Sequence, residues 1–197
     1  MAVGWARTQR GRARLGWAGG VMASLALAMT LAGCSLGFGG DSSANGDQAL
    51  SALPWCGQPQ ISFVDSGSSS QQTITQWDTV KGQLGFTPYL PSTLPKGSCL
   101  DLVGGAVHDP IFGGHLSVTW VLPGGTPISF SEAPKRGNTA TTPQCTVSSQ
   151  APNATTVCIG AVDNTSVTVA SHMSESQIKS YFSQLKAATD WAPAPAS

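Results

Sequence analysis

Charge is scarce in this chain. Only 10% of its 197 residues are Asp, Glu, Lys or Arg, and the 10 basic and 10 acidic side chains cancel; roughly 25% is usual for a soluble domain. That balance excludes a basic nucleic-acid footprint, and no nucleic-acid partner is expected. Several motifs are missing too: there is no CxxC pair, no HExxH and no P-loop. Their absence removes the common sequence marks of zinc knuckles, zinc proteases and phosphate cradles. No acid occurs in the first 33 residues. Within them the apolar heart of the uncharged stretch 16–31, residues 21–31, is about 11 residues long, short of the roughly 20 needed for a permanent membrane helix.

What is present near the N-terminus comes in a telling order. Arg7, Arg10, Arg12 and Arg14 make a basic region, the apolar run follows, and Leu31-Ala32-Gly33-Cys34 comes directly after it. This resembles the lipobox of bacterial lipoproteins, in which small residues fit the peptidase cleft and the thiol takes the lipid. The resemblance implies a signal peptide over residues 1–33, cleavage before Cys34, and a diacylglyceryl group on Cys34 that holds the chain at the extracytoplasmic side of the cell membrane. Two or three acyl chains anchor stably where one does not. Arg12 and Arg14 are not adjacent, so general secretion rather than a twin-arginine route is expected. Removing residues 1–33 takes away four of the 10 basic residues and none of the 10 acids. The exported part therefore carries 6 positive and 10 negative side chains, a net of −4, and should not adhere to anionic headgroups by charge.

Residues 34–53 are rich in Gly, Ser, Ala and Asn and predict a flexible tether with a reach of roughly 25 Å. Residues 54–190 then form a single domain, and the Ala/Pro tail at 191–197 is expected not to fold. Apart from Cys34, the cysteines number four: Cys56, Cys99, Cys145 and Cys158. An even count in an exported chain suggests two disulfides. Three connectivities exist. Cys145 and Cys158 flank a turn-rich segment between two strand-like runs and are the preferred pair, which leaves Cys56 with Cys99.

Two stretches carry helical period. Thr73 and Gln76 have the spacing of a capping box ahead of Ile74, Trp77, Val80 and Leu84; Ser174 and Gln177 repeat it ahead of Ile178, Tyr181, Phe182 and Leu185. Between them, residues 116–122 and 128–132 alternate apolar with polar around a Pro-Gly-Gly-Thr-Pro turn and predict a hairpin. Further strands are expected at 100–108, 155–161 and 166–170, with Asp163-Asn164 as the last turn, and an edge strand at 61–64. The expectation is an α+β fold: an antiparallel sheet of about five to six strands, with an N-terminal and a C-terminal helix packed on one face.

The run from Trp77 to Leu102, with Leu84-Gly-Phe-Thr-Pro-Tyr-Leu-Pro-Ser-Thr-Leu-Pro-Lys-Gly97 at its centre, resembles the entry of a bacterial extracytoplasmic family, domain of unknown function 4367. The resemblance covers about residues 73–188 and implies the order helix, strand, hairpin, closing hairpin and helix. The four extracytoplasmic cysteines and the long 137–152 loop depart from that pattern. The family brings no catalytic residues to transfer.

Remaining candidates are few. His108, Asp109 and His115 are the cluster of metal-competent side chains, grouped around a Gly-rich loop, but a third strong ligand is not evident. No metal or other cofactor is expected. Pro88, Pro91 and Pro95 stiffen a connector around Tyr89. Trp120 and Phe130 are expected in the core, with a ligand groove that includes Phe112 as the alternative. Asn153 and Asn164 sit in acceptor triplets explained by turn chemistry. The functional expectation is a non-enzymatic, lipid-anchored envelope protein that binds or senses a ligand or envelope protein at the membrane surface. The alternatives are a hydrolase or metal-dependent enzyme built on His108, Asp109 and His115, and a structural envelope component.

Overall fold

A computed structural model of the chain describes residues 46–67, 70–148 and 154–195. The signal-peptide and Cys34 readings lie outside the described residues, as does Asn153. In chain order the elements are β1 (Asp47–Ala49), a 3-10 turn (Leu50–Ala52), β2 (Ile61–Asp65), β3 (Gln72–Ile74), α1 (Trp77–Lys81), β4 (Tyr89–Pro91), β5 (Thr93–Pro95) and β6 (Cys99–Asp109). There follow β7 (Gly113–Leu122), β8 (Thr126–Pro134), β9 (Gln144–Val147), β10 (Thr156–Val162), β11 (Thr165–Ser171), α2 (Glu175–Ser183) and β12 (Leu185–Ala187). Eight strands form one sheet in the order β3-β2-β6-β7-β8-β11-β10-β9, while β1 pairs with β5 and β12 with β4 in two small ribbons. All neighbours in the large sheet are antiparallel except β2 and β6, which run parallel.

Period-two patterning builds the core. On β7, Leu116, Val118, Trp120 and Leu122 are buried; on β8, Ile128 and Phe130; on β11, Val167 and Val169. The opposite face is polar, and cross-strand hydroxyl pairs Ser117–Ser131 (3.3 Å) and Thr119–Ser129 (2.8 Å) line it. Trp120 meets Phe130 edge-on at 5.4 Å between ring centroids, and Phe130 meets Tyr181 of α2 at 6.3 Å. Burying each such side chain contributes about 1.5–3 kcal/mol. Trp120 and Phe130 are thus core residues, while Phe112 is half exposed at the β6–β7 turn under the Arg136 guanidinium.

The α+β expectation is overturned, because the chain is mostly β, with an eight-stranded mixed sheet and two helices among the described residues. The N-terminal helix shrinks to the five residues of α1. Thr73 and Ile74, read as its first turn, instead pair with Val64 and Phe63. That pairing removes Thr73 from any capping role, and Gln76 becomes an N-cap without a side-chain bond. Cross-strand hydrogen bonding outweighs a weak helical preference here. The second capping box does form: Ser174 Oγ accepts the Gln177 N–H while the Gln177 side chain accepts the Ser174 N–H. Its helix stops at Ser183, however, and Leu185–Ala187 turns into a strand against β4. β2 is not an edge strand, since β3 lies outside it.

Both ends of the fold extend past the expected boundaries. Leu50 and Leu53, read as tether, are buried, and β1 pairs with β5. Trp191 is 7% exposed and packs edge-on against Trp77 at 5.1 Å, so the segment read as a tail enters the core. The disulfides are Cys56–Cys99 and Cys145–Cys158, the pairs that spacing favoured. The second bridges directly opposed positions on β9 and β10.

Gly105 of β6 is required by its surroundings. Its φ is +151°, and a Cβ there would lie 2.0 Å from the His115 carbonyl oxygen of β7 and 3.1 Å from the Phe63 ring. Gly105→Ala is expected to cost about 2–3 kcal/mol, read as a lower denaturation midpoint with an unchanged denaturant slope.

Candidate functional site

Of the trio His108, Asp109 and His115, the first two side chains are taken up by other partners. His108 is the extra residue of a β-bulge, where the β6–β7 register shifts between Val107 and Asp109, and its φ is +53°. Its Nδ1 lies 3.1 Å from Asp65 Oδ1 on β2, an oxygen that also accepts the Gly67 N–H at 2.9 Å. The Gly67 bond first and His108 second hold the Asp65 carboxyl below the ordinary Asp range. Asp109 Oδ1 accepts the N–H groups of Ile111 (2.8 Å) and Phe112 (2.6 Å), which closes the hairpin turn. His115 pairs across the ladder with Ala106. Among the described residues no group of three His, Cys, Asp or Glu side chains is placed to hold a metal ion.

A different constellation lies where the strand ends of β8 and β11 meet the chain entering β4. There the backbone is laced together by Lys135 N–H to Asn164 O (2.7 Å) and by Thr165 Oγ1, which donates to Thr87 O (2.8 Å). These ties leave an open cleft of about 540 Å³, walled by residues 85–87, Tyr89, 134–135 and 163–165, a size suited to a small molecule. The Tyr89 hydroxyl donates to Asp163 Oδ2 across the cleft, and Asp163 occupies the β10–β11 turn with a φ of +48°. Because the phenolic proton is donated in the hydrogen bond to Asp163, the Tyr89 hydroxyl ionises only above its ordinary range. It is therefore a fixed hydrogen-bonding group at neutral pH. Lys135, Asn164 and the Thr87 backbone add donors and acceptors suited to a polar ligand.

Beneath the cleft is Glu132. It is 1% exposed on the core face of β8, with Leu116 and Val167 directly opposite on its two neighbouring strands. One carboxyl oxygen accepts the Tyr89 N–H at 2.7 Å, and the other has no protein partner. Burial pushes its pKa up to about 8, against the smaller opposing pull of the Tyr89 hydrogen bond. At neutral pH the group is thus mostly the neutral acid, and its ionised form would leave a nearly bare charge in the core. Glu132, the Tyr89 backbone and the Tyr89–Asp163 pair form one connected path from core to cleft.

The sequence reading passed over this site. One signal was there: Glu132 has the same strand parity as Ile128 and Phe130, so an acid stands at a position where the pattern demands an apolar residue. Tyr89 and Asp163 were legible only as connector and turn, since 74 residues separate them. No protein-family model matches this chain, and no curated protein matches it.

Proposed function

We propose that this protein is a lipid-anchored extracytoplasmic envelope protein, held at the membrane by a diacylglyceryl Cys34, that binds or senses a small polar ligand in the cleft over Glu132 and is not an enzyme. The observation that carries the location is the use of all four described cysteines in two disulfides, which suits an oxidising, extracytoplasmic compartment. No helix among the described residues is long and apolar enough to cross a membrane. The basic region, apolar run and Leu31-Ala32-Gly33-Cys34 then supply the anchor. Binding rather than catalysis is favoured by the Tyr89–Asp163 pair, in which a phenol reluctant to ionise is locked to its acceptor. The order α1, β6, the β7–β8 hairpin, the β10–β11 hairpin and α2 is also the order that the resemblance to domain of unknown function 4367 implies, and we keep that kinship within the proposal.

Detergent-phase partition of protein from the native membrane tests the anchor. Wild type should enter the detergent phase, and Cys34→Ala should move the protein to the aqueous phase or leave it uncleaved. A Cys34→Ala protein that is cleaved and still partitions into detergent would remove the lipid from the account.

A further inference from the structure

The C-terminal segment lies in this fold as a peptide lies in a receptor. The Trp191 carbonyl accepts the indole N–H of Trp77 at 3.2 Å, and three residues on, the Ala194 carbonyl accepts the indole N–H of Trp55 at 2.8 Å. Residues 192–195 read Ala-Pro-Ala-Pro, and none of them is buried. The Ala194 carbonyl ties them to Trp55. Residues 192–195 form one wall of an open cavity of about 570 Å³, faced by Pro59, Ile61, Gln76 and Trp77.

Alternating Ala-Pro fixes φ at every second residue and biases the residue before each proline to extended backbone, which favours the polyproline II helix. That helix repeats every three residues, over about 9 Å, and leaves all its carbonyls free. In that helix carbonyls three residues apart face the same side, and carbonyls 191 and 194 each meet a tryptophan donor here. Aromatic rings that give an N–H to a carbonyl beside prolyl rings are how grooves read proline-rich ligands.

We propose that the groove beside Trp55 and Trp77 is a docking site for a proline-rich, extended segment of a partner protein, and that residues 192–195 occupy it in cis as a displaceable mimic. Trp191 stays in the core and keeps its bond to Trp77. The incoming segment replaces the four residues that follow, giving a carbonyl to Trp55 and prolines to the wall at Pro59 and Ile61. The tail competes at the high effective concentration of a short tether, so partner binding releases it. This inference does not depend on the Cys34 anchor or on the cleft over Glu132.

The test is titration of the purified full chain with an acetylated, amidated Ala-Pro repeat hexapeptide, followed through the Trp55 indole N–H resonance, with a Gly-Ser hexapeptide as control. In a full-length Pro193→Gly/Pro195→Gly variant the cis tail loses its preorganisation, and the Ala-Pro peptide should bind about tenfold more tightly than to wild type. Adding Trp55→Phe, which keeps a ring but removes the donor and its resonance, should weaken that binding about tenfold, read by titration calorimetry of both variants with the same peptide. A chain ending at Trp191 should behave like the double-glycine variant. The proposal is overturned if neither tail variant binds the Ala-Pro peptide more tightly than wild type, if the Gly-Ser peptide binds equally, or if Trp55→Phe changes nothing. It is also overturned if the Trp55 resonance shifts with protein concentration alone, since the occupant would then be a second copy of this chain.

Discussion

Raising the pH from 5 to 8 is expected to destabilise this protein by about 3–4 kcal/mol, and Glu132→Gln is expected to abolish most of that loss. The folded pKa of Glu132 is about 8, raised from an ordinary 4.5 by burial. Between those two values the folded chain binds a proton that the unfolded chain has released. The stabilisation is therefore complete below about 4.5, falls as pH climbs, and is gone above about 8. Asp65 works in the opposite sense but in a different window: its lowered pKa adds stability that is lost only as pH falls below the ordinary Asp range. Glutamine keeps an oxygen for the Tyr89 N–H and carries no charge, so the variant should be flat between pH 5 and 8 and more stable than wild type at pH 8. Urea midpoints at the two pH values check this. Equal slopes for both proteins would mean that Glu132 stays ionised in the core.

Loss of the Cys56–Cys99 disulfide is expected to be the costliest cysteine change, at about 4 kcal/mol for the Cys56→Ser/Cys99→Ser variant by loop-entropy reasoning over a separation of 43 residues. The Cys145–Cys158 disulfide closes a loop of only 13 residues, and Cys145→Ser/Cys158→Ser should cost about 3 kcal/mol. Position widens the gap. Cys56 adjoins the Trp55–Leu100 bridge, and the Cys56 N–H donates to the Leu100 carbonyl at 2.8 Å, so this disulfide secures the start of the domain to β6 in the middle of the sheet. Cys145 sits on β9, which ends the sheet and can fray locally. Guanidinium midpoints of the two variants at one pH check the order, and a larger loss on removing Cys145–Cys158 would contradict it.

Local pattern made the middle of the fold legible. Residues 116–122 and 128–132 alternate cleanly, and the turn between them is written in Pro and Gly, so pattern alone places β7 and β8. Ser174 and Gln177 announced α2 for the same reason. Long-range pairing was not legible. Thr73 and Ile74 carry a helical rhythm that only their ladder with β2 cancels, and nothing near Asp47 or Trp191 in the chain signals the strand and the core contact they make. The cleft was hidden in the same way, because Tyr89, Glu132 and Asp163 meet only after β4, β8 and the β10–β11 turn converge. His108 and His115 misled by proximity in sequence, since a single bulge residue is enough to turn His108 toward Asp65.

The central claim is that an acylated Cys34 holds a disulfide-stapled domain outside the cytoplasm. Intact-mass spectrometry of the protein extracted from its native membrane tests this most directly. The account predicts a chain that begins at Cys34, carries the added mass of a diacylglyceryl group with or without a further acyl chain, and contains both disulfides. A chain that retains residues 1–33, or one that begins elsewhere with no lipid mass and four free thiols among Cys56, Cys99, Cys145 and Cys158, would contradict it.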